Sequence, residues 1–267
     1  MKLKIKHIVA ILVLASIFSS CQYQKLLKSS DNKLKYEKAM EYYDEEDYVH
    51  AMTLFEQLIP IYRGTEKGEE ISYRYAYCKY YTKSYIEAGH YFRRYINSFP
   101  NSSFTEECTY MSAYCYYLES PKPSLDQSST YKALSELQLF MERYPESEHL
   151  LDCQTLIDEL MKKLQKKSYD NALLYYKIGQ YKAASVALKS SLEKFPDTEY
   201  REEIMYRIVK SEYLLAVNSI YGKTLERLKA AHKDFRAFER EFPESKYIKE
   251  LRKINVDIEE KINYLES

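Results

Sequence analysis

Cys21 is the residue whose setting most clearly predicts a covalent modification. Residues 2–6 carry three lysines, and they precede an apolar run, Ile8–Phe18, that is too short to span a bilayer with its flanks. Two serines then lead directly into Cys21. This order is typical of a lipoprotein signal peptide. We therefore expect residues 1–20 to be removed and the Cys21 thiol to carry a covalent lipid, with palmitate as an acyl chain.

An ordinary signal peptide or an anchor helix, with Cys21 incidental, is the alternative interpretation of the same residues. Acylation is favoured because Cys21 falls where the apolar run stops. Stable anchoring needs more than one acyl chain. Residues 21–31 would then form a short tether between the membrane and the folded chain, which would be attached to the membrane through its lipid.

Four further cysteines, Cys78, Cys108, Cys115 and Cys153, could form disulfides in an exported protein. Cys78 and Cys115 occupy the same position of two successive repeats, described below. Cys108 and Cys153 each follow a repeat-ending proline by eight residues. Equivalent positions indicate a shared packing role, so we expect buried free thiols.

Residue patterns typical of catalysis are missing from the sequence. It contains no H-E-x-x-H pair, no phosphate-binding glycine loop and no G-x-S-x-G turn, and only 5 glycines are available for such loops. Acidic pairs such as Glu69-Glu70 are interpreted as solvated helix faces. The formal net charge is zero, which gives no reason to expect nucleic acid as a partner. The sequence therefore predicts a protein that is not an enzyme, with no metal and no cofactor besides the lipid on Cys21.

Tyrosine is the most unusual component, with 30 copies and no tryptophan. Ten tyrosines recur as pairs seven residues apart, with a small residue three after the first, so that all three lie on one helix face. These ten, the tyrosine ladder, are Tyr36 and Tyr43, Tyr73 and Tyr80, Tyr110 and Tyr117, Tyr169 and Tyr176, and Tyr206 and Tyr213. A ladder of large rings with hydroxyls would suit a peptide-binding groove. The same rings could equally stack between successive helices as partly buried packing, and the spacing supports both interpretations.

Each ladder pair marks the first helix of a repeat. An alanine followed four residues later by a large apolar residue, as in Ala51 and Phe55, marks a second helix. The last four copies end in an aromatic residue, proline, any residue and Ser or Thr, first at Phe99–Ser102. With the two marker alanines 12 residues apart in copies one, two and four, the unit resembles the tetratricopeptide repeat. We expect an all-α, right-handed superhelical solenoid of about five such repeats, because one hairpin cannot bury its apolar stripe alone.

The repeats fall into two predicted halves. Residues 32–147 hold repeats 1–3, with a proline-containing insertion near 119–128. Residues 148–267 hold a long linking helix, repeats 4 and 5, and a C-terminal helix. In the fifth repeat we expect residues 218–223 to form a longer turn, broken at Gly222.

The lipoprotein signal, the five repeats, the insertion and the long helix together resemble the BamD family, the D subunits of the bacterial β-barrel assembly machine (BAM complex). The stretch from Asp126 to Ser147 is similar to that family's third repeat, and the likeness covers nearly all of the chain after Cys21. The resemblance implies a lipid-anchored scaffold on the periplasmic face of the outer membrane. Repeats 1–3 would receive unfolded outer membrane proteins by their C-terminal signal. Repeats 4 and 5 would bind the periplasmic domains of a BamA-like barrel subunit.

Two other functions remain open at this point. Another periplasmic tetratricopeptide lipoprotein, accessory to cell-wall or Tol-Pal machinery, would share the anchor and the repeats but bind different partners. An enzyme with a repeat-built pocket would need a catalytic carboxylate inside a groove, and the sequence nominates none.

Overall fold

The computed structural model describes residues 22–267, so the predicted signal peptide and Cys21 lie outside the described residues. Residues 22–27 are helical, residues 32–266 form eleven α-helices, and no strand occurs within 22–267, which confirms the predicted all-α fold. The helices are α1 (Asn32–Asp44), α2 (Tyr48–Leu58), α3 (Glu66–Tyr81), α4 (Tyr85–Ser98), α5 (Thr105–Leu118), α6 (Ser128–Arg143), α7 (Leu150–Lys177), α8 (Tyr181–Lys194), α9 (Arg201–Val217), α10 (Tyr221–Glu241) and α11 (Ile248–Glu266). None of these described helices is long and apolar enough to cross a membrane.

Each repeat is a hairpin whose two helices meet through small residues. In the first repeat Ala39 of α1 and Ala51 of α2 are fully buried, and Phe55 lies in the same core cluster. The equivalent residues are buried in the other four repeats: Ala76, Ala88 and Phe92; Ala113, Ala133 and Leu137; Ala172, Ala184 and Leu188; Val209, Ala231 and Phe235. Burying each large side chain stabilises its hairpin by roughly 1.5–3 kcal/mol. The sequence pattern therefore identified the helix–helix contacts correctly.

Three of the turns inside the repeats have one geometry. After α1, Glu46 N–H donates to the Tyr43 carbonyl and Asp47 N–H to the Tyr42 carbonyl, a hydrogen-bond pair that ends a helix in the left-handed region. Lys83 closes α3 and Gly179 closes α7 in the same way, with φ of 61° and 77°. Glycine adopts this conformation without strain, whereas a side chain does so at a cost.

The turns between repeats are β-turns built by the aromatic-proline motif. In each, the Ser or Thr N–H donates to the carbonyl of the aromatic residue three positions earlier, at 3.1 Å in the first copy, Phe99–Ser102. The Ser102 hydroxyl then accepts from Phe104 N–H at 3.1 Å. The same arrangement recurs after Tyr144, Phe195 and Phe242. The hydroxyl thus shapes the turn before the helix, and an aromatic residue or His149 comes directly before each following helix.

The chain divides into two compact units. The first contains residues up to Ser120 together with Ser128–Leu156, and the second contains Pro121–Gln127 with Ile157–Ser267. The division falls inside α7, a single helix of 28 residues. In the second unit the insertion loop is held by Lys167, whose ammonium donates to the Leu125 carbonyl at 2.5 Å. The predicted domain limits at 147 and 148 stay a prediction.

The expected long turn at 218–223 is wrong. Residues 218–220 alone separate α9 from α10, and Gly222 lies inside α10. The extra residues of the fifth repeat lengthen α10 to 21 residues. Gly222 is tolerated there because the first turn of a helix contains N–H groups without intrahelical partners, so little backbone order depends on it.

The four cysteines of the described chain are free and buried, as their positions predicted. Burial raises the pKa of Cys78 to about 12 and that of Cys153 to about 11. A thiol in this state is a poor nucleophile and behaves as a small apolar side chain.

The segment predicted as a tether is described from residue 22 onward, and most of it is packed on the first repeat. Residues 22–27 are helical, and Tyr23 is buried in the core cluster of the first repeat. Leu26 and Leu27 pack against the same cluster. Residues 28–31 alone lack helix in this segment.

Candidate functional site

The first tyrosine of each ladder pair lies in a seam between its own helix and the start of the next repeat or of α11. Its ring is covered by the residue directly before, or at the start of, that next helix. Tyr206 stacks on Tyr247 with ring centroids 4.0 Å apart, and Tyr169 stacks on Tyr200 at 4.7 Å. The remaining pairs are Tyr73 with Phe104 at 4.8 Å, Tyr110 with His149 at 4.0 Å and Tyr36 with the Lys67 ammonium at 4.8 Å.

The hydroxyls of these tyrosines donate to carboxylates one turn further along the next helix. Tyr36 donates to Glu70 at 2.5 Å, Tyr73 to Glu107 at 2.9 Å and Tyr206 to Glu250 at 2.8 Å. Glu203 takes the same role for Tyr169, and in the third repeat the charge of Asp152 lies near Tyr110. The seam thus combines a ring contact with a charge-assisted hydrogen bond.

The hydrogen bonds shift the titration of both partners. The pKa of Tyr36 is raised to about 12, mainly by burial and in addition by the hydrogen bond to Glu70. Lys210 is the largest cause of the lowered pKa of Glu250, and the Tyr206 hydroxyl contributes in the same direction. At neutral pH the phenols are therefore donors and the carboxylates acceptors.

The second tyrosines of the ladder are half-buried and have more varied partners. Tyr43 and Tyr176 each lie under an arginine, Arg74 at 4.8 Å and Arg207 at 5.0 Å from the ring centroid. The Tyr213 hydroxyl donates to an aspartate of α11. Tyr80 and Tyr117 both contact the ring of Tyr114.

Three ladder tyrosines meet in a cavity of about 680 Å³ within the first unit, which we name the tyrosine groove. Its lining combines rings, two cations and three carboxylates: Tyr36, Tyr43, Tyr73, Tyr95, Phe104, Lys67, Arg74, Glu66, Glu69 and Glu70. Phe104 is 45% exposed, and Arg74 pairs with Asp44 and Glu70, both at 3.2 Å. Lys67 contacts rings only and makes no ion pair with any residue of 22–267. The groove therefore presents exposed ring surface beside a cation without a carboxylate partner.

A second cavity of the first unit, of about 300 Å³, shares Tyr95 with the tyrosine groove. Arg63 and Arg94 line it together with the rings of Tyr75 and Tyr91. Both arginines are exposed, and neither forms an ion pair within the described chain. This arginine cavity suits an anionic group attached to an apolar one.

The sequence contains signals that could have predicted the seam contacts of the ladder tyrosines. The acceptor Glu lies three residues before the first ladder tyrosine in repeats 2, 3 and 5, at Glu70, Glu107 and Glu203. The residue that covers the ring follows Ser or Thr of the repeat-ending motif by two positions, as Tyr200 follows Thr198. Arg74 also has a repeated signal, because Arg207 likewise directly follows the first tyrosine of its pair. Lys67 and the arginine cavity have none, because each depends on positions of one repeat.

Metal chemistry has no support in the described part of the chain, where no three His, Cys, Asp or Glu side chains are grouped suitably for an ion. The tyrosine groove and the arginine cavity offer ring surface, hydrogen-bond acceptors and fixed cations. Ring surface and fixed cations are features that the peptide-binding grooves of repeat proteins use.

Comparison with known proteins identifies relatives over most of the chain. The model of the YfiO family, described as an outer membrane lipoprotein, matches residues 28–228. The outer membrane protein assembly factor BamD of Caulobacter vibrioides is 30% identical over 93 residues, which is 35% of this chain. The matched segment spans 30% of the length of that relative.

Two solved structures that match most of the chain are of tetratricopeptide-type repeat proteins, both with TM-scores below 0.5. A repeat protein from Parabacteroides merdae has 14% identity and a TM-score of 0.36, covering 85% of this chain and 100% of its own. A kinesin light chain from Podosopora anserina, with nearly identical repeats, has 14% identity and a TM-score of 0.33, covering 80% and 96%.

Proposed function

The chain belongs to the YfiO family of outer membrane lipoproteins, and on that premise we propose that it acts in the assembly and insertion of outer membrane β-barrel proteins. It is a scaffold anchored by a lipid on Cys21 at the periplasmic face of the outer membrane. It binds unfolded outer membrane proteins and a BamA-like barrel subunit, and no covalent step is involved. The name of the Caulobacter vibrioides relative, an outer membrane protein assembly factor, supports this proposal.

The first unit is proposed to receive the unfolded substrate. The observation that carries this is the pairing of ring-lined and cationic surfaces on repeats 1 and 2. The tyrosine groove has the exposed ring of Phe104 and the unpaired Lys67, and the arginine cavity has Arg63 and Arg94. A peptide that ends in an aromatic residue and a carboxylate satisfies both kinds of surface.

The second unit is proposed to bind the periplasmic domains of the barrel subunit. Several large apolar side chains of α7, of α8 and of the turn between them are exposed in this unit, including Leu174, Ile178 and Val186. Exposed apolar residues that are grouped on neighbouring helices are typical of protein interfaces. A different envelope partner would use the same surface, so an accessory role in cell-wall or Tol-Pal machinery is the alternative function.

Affinity purification from solubilised outer membranes tests the partner assignment. A tag placed after the exposed end of α11 leaves both units untouched, and mass spectrometry identifies what is retained. We expect to recover a barrel protein with periplasmic repeat domains, at close to one copy per copy of the tagged chain. Recovery of cell-wall or Tol-Pal components without a barrel protein would refute the assembly function and support the alternative.

Charge reversal locates the substrate site. Photo-crosslinking to a peptide with a C-terminal phenylalanine is compared for Lys67→Glu, for Arg63→Glu with Arg94→Glu, and for Lys253→Glu on α11 as the matched control. We expect one of the first two variants to lose most of the crosslink and the control to retain it. Equal crosslinking by all three would contradict a substrate site in the first unit.

A further inference from the structure

The described start of the chain is docked on the first repeat by a buried tyrosine. Tyr23 is 8% exposed, and its hydroxyl donates to the His50 carbonyl at 3.2 Å. Its ring packs in edge-on geometry against the rings of His50 and Tyr42, with centroid separations of 4.1 Å and 5.7 Å. Tyr42 lies near the end of α1 and His50 near the start of α2, so Tyr23 sits beside the turn that joins these helices.

A buried lysine holds the other end of the same segment. Lys35 of α1 is 7% exposed, and its ammonium donates to the Leu27 carbonyl at 3.0 Å and to Gln57 Oε1 at 2.7 Å. Leu27 ends the helical segment, where carbonyl groups lack intrahelical donors, so a cation there is favourable. A buried ammonium is costly unless such acceptors are supplied, which makes this contact specific.

The connection from this segment to α1 is held by hydrogen bonds at each step. Ser29 N–H donates to the Leu26 carbonyl at 3.1 Å, and the Ser29 hydroxyl accepts from Asp31 N–H at 3.0 Å. The Asp31 carboxylate in turn accepts from Leu34 N–H at 3.0 Å and caps α1. The segment thus covers the open end of the first repeat, where stacked repeats need a capping element.

We infer that residues 22–31 are a cap that fastens the lipid attachment site to the first repeat, so that the membrane surface lies beside the α1–α2 turn. This inference rests on the proposed lipidation of Cys21. Cys21 is two residues from Tyr23, so their Cα atoms are at most about 7 Å apart. A free segment of these ten residues would instead have a root-mean-square length of roughly 16–19 Å. The cap keeps the tyrosine groove at a set distance from the lipid.

Four acidic residues, Asp44, Glu45, Glu46 and Asp47, surround this turn. Asp44 and Asp47 are engaged by Arg74 and His50, but Glu45 and Glu46 are exposed. Unpaired carboxylates are costly to move into the apolar interior of a bilayer, so this turn can lie at the membrane surface but not below it. The first repeat is therefore held beside the membrane surface and does not enter it.

Fluorescence quenching by spin-labelled lipid tests the cap in the full-length lipidated protein. The protein is reconstituted in vesicles of phosphatidylethanolamine and phosphatidylglycerol with a nitroxide headgroup lipid. A fluorophore is attached to a cysteine placed at Val49, which is 58% exposed, while the native thiols are buried. We expect strong quenching that falls about twofold or more in Tyr23→Ala, because a released segment spreads the label over a longer range. Tyr264→Ala, at a position 79% exposed on α11, is the control and should leave quenching unchanged.

Hydrogen exchange of the amides of residues 26–29 in the same vesicles gives a second measurement that needs no variant. The cap predicts slow exchange, since these amides lie at the hydrogen-bonded end of a packed helix. Exchange at the rate of an unfolded chain, or equal quenching in Tyr23→Ala and wild type, would overturn the inference. Mass spectrometry of the intact protein distinguishes failure of the cap from failure of the proposed function. A lipidated chain with weak quenching refutes the cap alone, whereas a chain without lipid refutes the lipoprotein anchor as well.

Discussion

Removal of the Glu107 carboxylate is expected to destabilise the seam between repeats 2 and 3 more than any other single change of a surface charge there. Glu107 lies in the first turn of α5 and accepts two phenol hydroxyls, Tyr73 at 2.9 Å and Tyr77 through a short hydrogen bond. Tyr77 is 8% exposed, so its hydroxyl has little access to water if the carboxylate is lost. Tyr73 is half-buried and can be partly rehydrated.

The expected cost follows from the two hydrogen bonds. A hydrogen bond to a charged group contributes about 1.5–3 kcal/mol net, and the partial exposure of Tyr73 places its bond at or below the lower end. We therefore expect Glu107→Ala to lower the free energy of unfolding by about 2–4 kcal/mol, and Tyr77→Phe by about 1–2 kcal/mol. The triple variant combines Glu107→Ala with Tyr73→Phe and Tyr77→Phe. Its free energy of unfolding should fall by at least about 1 kcal/mol less than the sum of the three single changes, because no unsatisfied hydroxyl remains.

Urea unfolding followed by circular dichroism measures these differences as changes in midpoint at constant slope. Glu106→Ala is the matched control, since Glu106 occupies the same first turn of α5 and has the same effect on the helix dipole. Its cost should stay below about 1 kcal/mol. Equal costs for Glu106→Ala and Glu107→Ala, or strict additivity in the triple variant, would refute the structural role assigned to the ladder hydroxyls.

Three further outcomes are expected. Lys83→Gly should raise the free energy of unfolding by about 0.5–1 kcal/mol and Gly179→Ala should lower it by about 1 kcal/mol in urea titrations, because both positions have φ above +60°; effects of the same sign would contradict this. Gly68→Ala should cost about 1–3 kcal/mol, since a Cβ there would lie 2.1 Å from the Tyr62 carbonyl oxygen, whereas Gly222→Ala, in open space on α10, should be neutral or stabilising in thermal unfolding. Burial and the bond to Glu70 raise the pKa of Tyr36 from its ordinary value near 10 to about 12. Stability from such tyrosines is therefore complete below about pH 10 and is lost as the pH rises to about 12. Part of the tyrosinate absorbance should therefore appear only together with unfolding in that range, and complete ionisation of the tyrosines well before unfolding would contradict this.

The sequence was sufficient for the repeat fold because that fold depends on periodic positions. The alanines at 39, 76, 113 and 172 recur at equivalent helix positions, and each is buried at a helix crossing. The repeat-ending prolines likewise predict turns that the structure contains. Such features follow from local backbone geometry and from apolar spacing, which one sequence displays in full.

The sequence was less informative where a contact joins residues with no fixed spacing. Tyr23 contacts Tyr42 and His50, and Lys35 joins Leu27 to Gln57, at spacings that no repeat fixes. Nothing in the composition of residues 22–31 distinguishes this packed segment from a tether. The turn at Gly222 was predicted wrongly because glycine breaks a helix interior but is tolerated in a first turn. The two interpretations of the ladder differ only in what lies opposite each ring, which depends on tertiary contacts.

The seam contacts also explain why a groove opens at the first seam. In the three seams where Phe104, Tyr200 or Tyr247 covers the ladder tyrosine, a ring packs against a ring. At the first seam the corresponding residue is Lys67, whose charge favours water and whose ammonium lies 4.8 Å from the centroid of the Tyr36 ring. A lysine can move aside at low cost, whereas a packed ring cannot without loss of apolar burial. The substitution of one covering residue therefore turns a structural seam into a surface where a ligand can contact the Tyr36 ring, while its hydroxyl stays bound to Glu70.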